Sequence, residues 1–564
     1  MSKMRYGLVS FIFILTSIPF GKLSSAGEVV YDAGIETEYV DQRVDVVNDQ
    51  SRIDAGNIIL RPYLAMIYTA RDANLFIRAD HYNTYRNLED ENLTNNYTEF
   101  SFRGDYSIVR NLLVLRASGA NGFRSPSAET LLVDDFLLNT DQLSKTQFSR
   151  ISADFTLPRG DYFGLDFSTG YANQTVRSND NIGNNSLFID LNNDSYFFNL
   201  NAISGETIKN ARITLDADIN YIKRDLNADF VSQIVSLNND IKLFGQIGLA
   251  LNATYENNDV KSTEESIDRL REFYSAGVGL IWQTDNERSI EVAVNRSKSN
   301  SNGANIDDDE ELNDEEDTFM SVDINWRFSN RTYLEALFSR RFFGDSASVL
   351  LTHSLRNWRT RISYTEDVST NLRLLANNDQ GLFICDNGST DIADCSLTDS
   401  LDTQLDTGQF LVPFTTQTLS LNDQVLLLKR FSFETAVTRR RTTLSITGTV
   451  ADQTELETIR DLRTEQFGAN VVFAFSRKTD LKIGHILSRT NGILEDNSIV
   501  DTTVNETNIR LIRKLTRRFS ASLAFRKLKR DGDFDQIAGT GGIEGPFTDN
   551  RITFSVKYNY GNRR

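Results

Sequence analysis

The residues able to do chemistry are few and scattered. The 564-residue sequence holds three histidines, His81, His353 and His485, and two cysteines, Cys385 and Cys395. The histidines lie far apart along the chain, which reads as isolated side chains rather than a catalytic or metal-binding set. Asp406-Thr407-Gly408 echoes an aspartic-protease triplet. That chemistry needs two carboxylates sharing a proton, and no second Asp-Ser/Thr-Gly occurs. A Gly-x-Ser-x-Gly elbow, a phosphate loop, a His-Glu-x-x-His pair and a dinucleotide fingerprint are all missing. The expectation is a protein that is not an enzyme and that uses no cofactor.

Charge is more informative. Sixty Lys+Arg against 78 Asp+Glu leave a net charge of −18 and a pI near 4.8. A general nucleic-acid binder needs a basic face, so no nucleic-acid partner is expected. Nine of the eleven residues from Asp307 to Asp317 are acidic. Asp307, Asp308, Asp309, Glu310 and Glu311 are a weak candidate for contact with a divalent ion, which prefers oxygen ligands. The run lacks the spaced ligands and glycine of an EF-hand, and a solvated outer loop explains it as well. No other metal site is expected.

Lys3 and Arg5 precede an apolar run from Tyr6 to Phe20, and Ser24-Ser25-Ala26 supplies small residues before Gly27. This is the layout of a secretory signal peptide over residues 1–26. Its removal takes away Lys3, Arg5 and Lys22 and no acid, so the mature charge becomes −21. No later apolar stretch reaches the ~18 residues of a membrane-spanning helix. In an exported chain the two cysteines, nine residues apart in a loop, are expected to form a Cys385–Cys395 disulfide.

The mature chain alternates with a period of two. Met320, Val322, Ile324, Trp326 and Phe328 interleave with Ser321, Asp323, Asn325 and Arg327. Ile552, Phe554, Val556, Tyr558 and Tyr560 interleave with Thr553, Ser555, Lys557 and Asn559. Such segments are strands with one apolar and one polar face. They run to about 9–14 residues, more than the ~5–6 of an ordinary globular strand and enough to cross a membrane at a tilt. Short connections, near residues 71–72, 110–111, 158–160, 329–330, 357, 439–440, 477–478 and 516–517, alternate with long polar ones. The long ones are expected at 42–57, 86–96, 122–147, 176–191, 300–317, 370–420 and 530–548. The pattern predicts one all-β domain over residues 27–564. It is a transmembrane antiparallel up-and-down β-barrel of about 24 strands (20 to 26), with short periplasmic turns and long outer loops. Residues 370–430 form the longest insertion, either a loop or a plug.

The alternation assigns inward positions. Asp323, Arg327, Glu335, Arg341, Arg356, Arg359 and Arg361 fall on the polar face as candidate lumen-lining residues. With several arginines near short turns, the expected place is the periplasmic mouth. There they either favour anionic solutes or pair with Asp323, Glu335 and neighbouring carboxylates to hold the lumen's shape.

Two blocks resemble a known family. Arg340-Arg341-Phe342-Phe343-Gly344-Asp345 runs on through Trp358-Arg359-Thr360-Arg361. Leu421 to Arg430 is followed by Arg439-Arg440-Arg441-Thr442-Thr443. Both are similar to the PEP-CTERM-system-associated outer-membrane barrel proteins of Gram-negative bacteria, and together cover roughly a tenth of the chain. The resemblance implies an outer-membrane place and a role in exopolysaccharide export beside an exosortase. The partners expected are then outer-membrane lipid and lipopolysaccharide, the barrel-assembly machinery and periplasmic polysaccharide-export components. The alternatives are a TonB-type uptake receptor, which needs a plug domain of over a hundred residues, or a surface adhesin or structural barrel.

Overall fold

The computed structural model describes residues 27–45, 52–88, 91–110, 112–124, 144–177, 191–225, 229–261, 269–285, 288–301, 313–370, 382–386, 395–398, 409–413, 425–455, 461–493, 499–534 and 546–560. The strands in chain order begin with β1 (Glu28–Asp45), β2 (Arg52–Thr69), β3 (Ala73–Leu88), β4 (Glu91–Val109), β5 (Leu113–Arg124), β6 (Ser144–Leu157) and β7 (Phe163–Arg177). Next come β8 (Leu191–Ser204), β9 (Ala211–Lys223), β10 (Asp229–Phe244), β11 (Ile247–Lys261), β12 (Arg269–Asp285), β13 (Arg288–Ser301) and β14 (Asn313–Ser329). Then follow β15 (Thr332–Arg341), β16 (Gly344–Leu355) and β17 (Trp358–Thr370), and the short strands β18 (Leu382–Asp386), β19 (Cys395–Thr398) and β20 (Gln409–Pro413). The chain closes with β21 (Val425–Arg439), β22 (Thr442–Glu455), β23 (Asp461–Ser476), β24 (Thr479–Ile493), β25 (Ile499–Lys514), β26 (Phe519–Phe534) and β27 (Phe547–Tyr560).

Twenty-four of these strands form one antiparallel sheet. Each pairs with its sequence neighbour, β17 pairs with β21, and β1 pairs with both β2 and β27. The sheet therefore closes on itself and leaves no free edge. The expected strand count is met, but the strands are longer than the alternation suggested. They run into the predicted loops 42–57 and 86–96, where β1 reaches Asp45 and β3 reaches Leu88. Cross-strand hydrogen bonding extends a ladder past the point where hydrophobic alternation stops marking it.

At one end every described connection between wall strands is short, from two residues at 245–246 to six at 205–210. The other end carries the long insertions but also the two-residue turn 342–343 between β15 and β16. Among the described residues, the three-stranded sheet β18–β20, within the 371–424 insertion, pairs with no wall strand. Its register sets Cys385 opposite Cys395. The candidate ion loop Asp307, Asp308, Asp309, Glu310 and Glu311 lies outside the described residues, as do the segment read as a signal peptide and Asp406-Thr407-Gly408.

Residues directly opposite each other in paired strands share a face, so one assignment propagates round the ring. Val322 lies opposite both Val292 and Phe338, and Ile324 opposite Ile290 and Ala336. Large exposed apolar side chains crowd this face, among them Met320, Val294, Val278, Leu280, Phe467, Leu523 and Phe554. The other face makes contacts between strands that are not neighbours, which only the barrel interior allows. His81, His353 and His485 each hydrogen-bond a threonine on an adjacent strand, Thr98, Thr332 and Thr507, at 2.8–3.0 Å.

Candidate functional site: the lumen wall and its constriction

Among the described residues no group of three or more His, Cys, Asp or Glu is placed to hold a metal ion. The chemistry that remains is that of a charged interior wall, which falls into three regions.

The first spans the seam where the chain's two ends meet, β25–β27 with β1–β3. Arg61 donates to Glu36 (2.5 Å) and to the Tyr82 hydroxyl (3.3 Å). Arg78 donates twice to Asp80 (2.6 and 2.9 Å). Lys557 pairs with Asp32 at 2.7 Å, Arg551 with Asp549 at 2.9 Å, and Gln42 donates to Asp549 at 2.8 Å. Asp32, Asp80, Asp549, Arg78 and Arg551 are buried. Burying a charge is costly unless an opposite charge or a hydrogen bond offsets it, and each of these acids has such a partner. This wall is a neutralised, packed surface.

The second region faces inward from β9 to β15. Asp216, Asp218, Asp240, Glu291, Asp323 and Glu335 share the inner face here with Arg212, Lys242 and Arg327, while Arg271 and Arg341 lie on the same face at the far mouth. Glu291 stands directly opposite Asp323, a like-charge pair, and Asn252 donates to Glu291 at 3.2 Å. Gly277 makes this reach possible. A Cβ there would lie 1.9 Å from the Asn295 Oδ1 and 2.4 Å from the Asn252 Oδ1. This part of the wall is acidic: alternation gives the face of each carboxylate, but not which of them stand side by side, as Glu291 and Asp323 do.

The third region is a constriction at the end opposite the short turns. The Arg341 guanidinium contacts Glu256 on β11, with Nη2 at 2.5 Å and Nε at 3.1 Å, although three strands lie between β15 and β11. Its Nη1 donates to the Glu366 carbonyl on β17 (3.2 Å), and the guanidinium lies 5.0 Å from the Phe343 ring centre. Arg271 of β12 lies over Phe342 at 5.8 Å, and the two phenylalanines meet edge to face at 5.1 Å. Phe342 and Phe343 pack against a buried cluster of Ile222, Phe230, Val368, Val425 and Leu427. Ile222 and Phe230 belong to β9 and β10, Val425 and Leu427 to β21, nine strands round the ring from β9. The contact therefore crosses the mouth as a chord. Val425, Leu426, Leu427 and Leu428 are all buried. Four consecutive strand residues point alternately to both faces, so the end of β21 is covered on both sides. Gly344 follows the turn with φ 108° and open space around its would-be Cβ. Its backbone angle, not its size, is what the turn requires.

These regions place the candidates read from the sequence. Asp323, Arg327, Glu335, Arg341, Arg359 and Arg361 all lie on the inner face, and Arg356 sits in the exposed turn between β16 and β17. They form no single ring. Arg327, Arg356, Arg359 and Arg361 gather toward the short-turn end. Arg361 lies opposite Glu434, and Glu335 accepts from the Tyr333 hydroxyl. Arg341 is at the other mouth, a correction to its expected place. Odd and even positions give the face of a strand residue but not its height, and β15 runs away from the short turns. Glu256, Phe230 and Ile222 were missed, because nothing local marks a residue whose partner lies 85 or more residues away along the chain.

The sequence matches no protein-family model and no curated protein. Among solved structures, the siderophore receptor PirA from Acinetobacter baumannii is similar with a TM-score of 0.40 at 8% identity, over 94% of this chain and 80% of that one. The FrpB iron transporter from Neisseria meningitidis gives 0.44 at 7%, over 94% and 81%. OccK7 from Pseudomonas aeruginosa gives 0.30 at 10%, over 95% and 100%. The barrel assignment rests on this chain's own strand pairing.

Proposed function

We propose that this chain is a channel of the bacterial outer membrane for a large polar solute. The observation that carries the reading is the closed 24-stranded wall with apolar side chains on its outer face and charged ones inside. An apolar exterior suits lipid, and a barrel of this size has a lumen too wide for its own side chains to fill. Exopolysaccharide is the cargo we favour, on the resemblance of the Arg340–Asp345 and Arg439–Thr443 blocks to exopolysaccharide-locus barrels. Against a plugged uptake receptor stands the composition of the described residues: apart from β18–β20, every strand belongs to the wall.

The test is planar-bilayer conductance of refolded protein whose heat-modifiable mobility shows a formed barrel, followed by blockade with polysaccharides of graded length and charge. Conductance that long polysaccharides interrupt supports the reading. Folded barrel with no conductance, even after residues 382–413 are excised, would refute it.

A further inference from the structure

The short-turn rim carries an asymmetry that the lumen does not explain. The five consecutive turns between β14 and β26, at 330–331, 356–357, 440–441, 477–478 and 515–518, contain no Asp or Glu. Together with Arg439 they supply the runs Arg439-Arg440-Arg441, Arg477-Lys478 and Arg517-Arg518, with Arg331 and Arg356 singly. All of these positions are exposed. The turns on the other half of the rim mix signs. There Arg110 is bonded to Asp72 at 2.6 Å, and Arg159 and Lys209 stand near Asp161 and Glu206. In a chain of net charge −18, half of one rim is a basic arc.

Its depth relative to the apolar exterior is set by the side chains beside it. Phe328, Trp358, Phe475, Leu515 and Phe519 are exposed, each within three residues of a cation of the arc. Aromatic girdles mark the membrane–water interface of such barrels, so these cations sit at headgroup height. Two turns are also tied together. The Lys514 amide donates to the Lys478 carbonyl at 2.8 Å. Between them lies a cavity of about 510 Å³ lined by Arg477, Lys478, Arg513 and Lys514, with Leu515 as its apolar side. Four cations round one cleft beside an apolar side chain match a phosphate group joined to an acyl chain.

We propose that this arc is a docking surface for anionic phospholipid headgroups, holding one side of the barrel against a phospholipid leaflet. The proposal rests on the membrane-barrel reading above. An acidic polymer entering the lumen would be met by cations on the inner face. Here Arg513 shares the outward face with Ile509 and Leu511, where lipid lies, and Lys514 at the end of β25 falls on the opposite face.

The experiment is native mass spectrometry of the full chain folded in detergent, with phosphatidylglycerol or phosphatidylcholine added at equal concentration. Heat-modifiable mobility serves as a separate check that the barrel formed, so a failure to fold would count against the barrel reading rather than the lipid site. Electrostatic attraction near a surface adds for each Lys or Arg. We expect roughly tenfold higher occupancy by phosphatidylglycerol, falling to the phosphatidylcholine level in R440Q/R441Q/R477Q/K478Q. Equal occupancy by both lipids in the wild type overturns the proposal. So does a preference that survives the four substitutions. If polygalacturonate, but not phosphatidylglycerol, binds the wild type and is lost in the variant, the arc serves an acidic polymer and the proposal fails.

Discussion

Arg341→Met probes the constriction directly. The Glu256 side chain is 1% exposed and that of Arg341 20%, so removing the guanidinium leaves a carboxylate with its main cation gone from a nearly dry site. Breaking a fully buried pair from one side costs ~3–5 kcal/mol. The mouth borders water, which will hydrate Glu256 once the turn moves, so a smaller cost of roughly 2–3 kcal/mol is expected here. At ~1.36 kcal/mol per tenfold, this shifts the balance between the inward and released turn by roughly 30- to 150-fold. In planar bilayers the variant should show larger or longer-lived conductance than the wild type, and Glu256→Gln should move the same way. The double variant R341M/E256M replaces the pair with apolar side chains beside Phe342 and Phe343. Apolar replacement of a buried pair is often neutral, so it should return toward wild-type conductance. If both single variants conduct like the wild type, the turn does not narrow the path. If the double variant is as open as the singles, the ion pair is not what holds the turn inward.

The remaining expectations follow from the same geometry. Gly344→Val forces a branched side chain into φ 108°, a strain of ~1–3 kcal/mol, and should mimic Arg341→Met in conductance while leaving barrel assembly intact. Ile324 faces outward five residues from the end of β14, roughly 13 Å up a tilted strand and so near the middle of the apolar band. Ile324→Lys should therefore cost ~2–4 kcal/mol and impair heat-modifiable assembly, whereas inward Asn325→Lys should not; equal assembly of the two would invert the face assignment. Mass spectrometry of envelope-derived protein should find Cys385 bridged to Cys395, its strand partner, a closure worth up to ~3 kcal/mol to that loop; two free thiols would exclude it. Changing Arg356, Arg359 and Arg361 to Gln should shift the reversal potential toward cations more than neutralising residues 307–317 does, because charge in that segment, which ends in the first residues of β14 at the outer mouth, is screened within ~8–10 Å. A larger effect of the loop change would make the acidic mouth the filter.

Much of this architecture is written locally. Met320 to Phe328 declares its two faces because strand side chains alternate, and that rule needs no knowledge of what lies across the sheet. Repeated along the chain, with short connections at one end, it suffices for the number of strands and for the closed antiparallel class. The same local rule places Asp323, Arg327, Glu335, Arg359 and Arg361 on the inner face. What it cannot convey is distance across the ring. Arg341 meets Glu256 across 85 residues of sequence, and Phe342 and Phe343 reach Ile222, Phe230 and Val425, only because closure brings opposite arcs of the wall together. The neutralised seam of β25–β3 also needs closure, whereas the acidic stretch of β9–β15 needs only the register of consecutive strands. Each strand contributes one or two ordinary charges, and their sum as a field depends on which strands stand side by side and at what height. Face is a property of one residue and its two neighbours, so sequence alone determined it. Depth, approach across the lumen and shared electrostatics belong to the register of 24 strands at once, and only the closed barrel decided them.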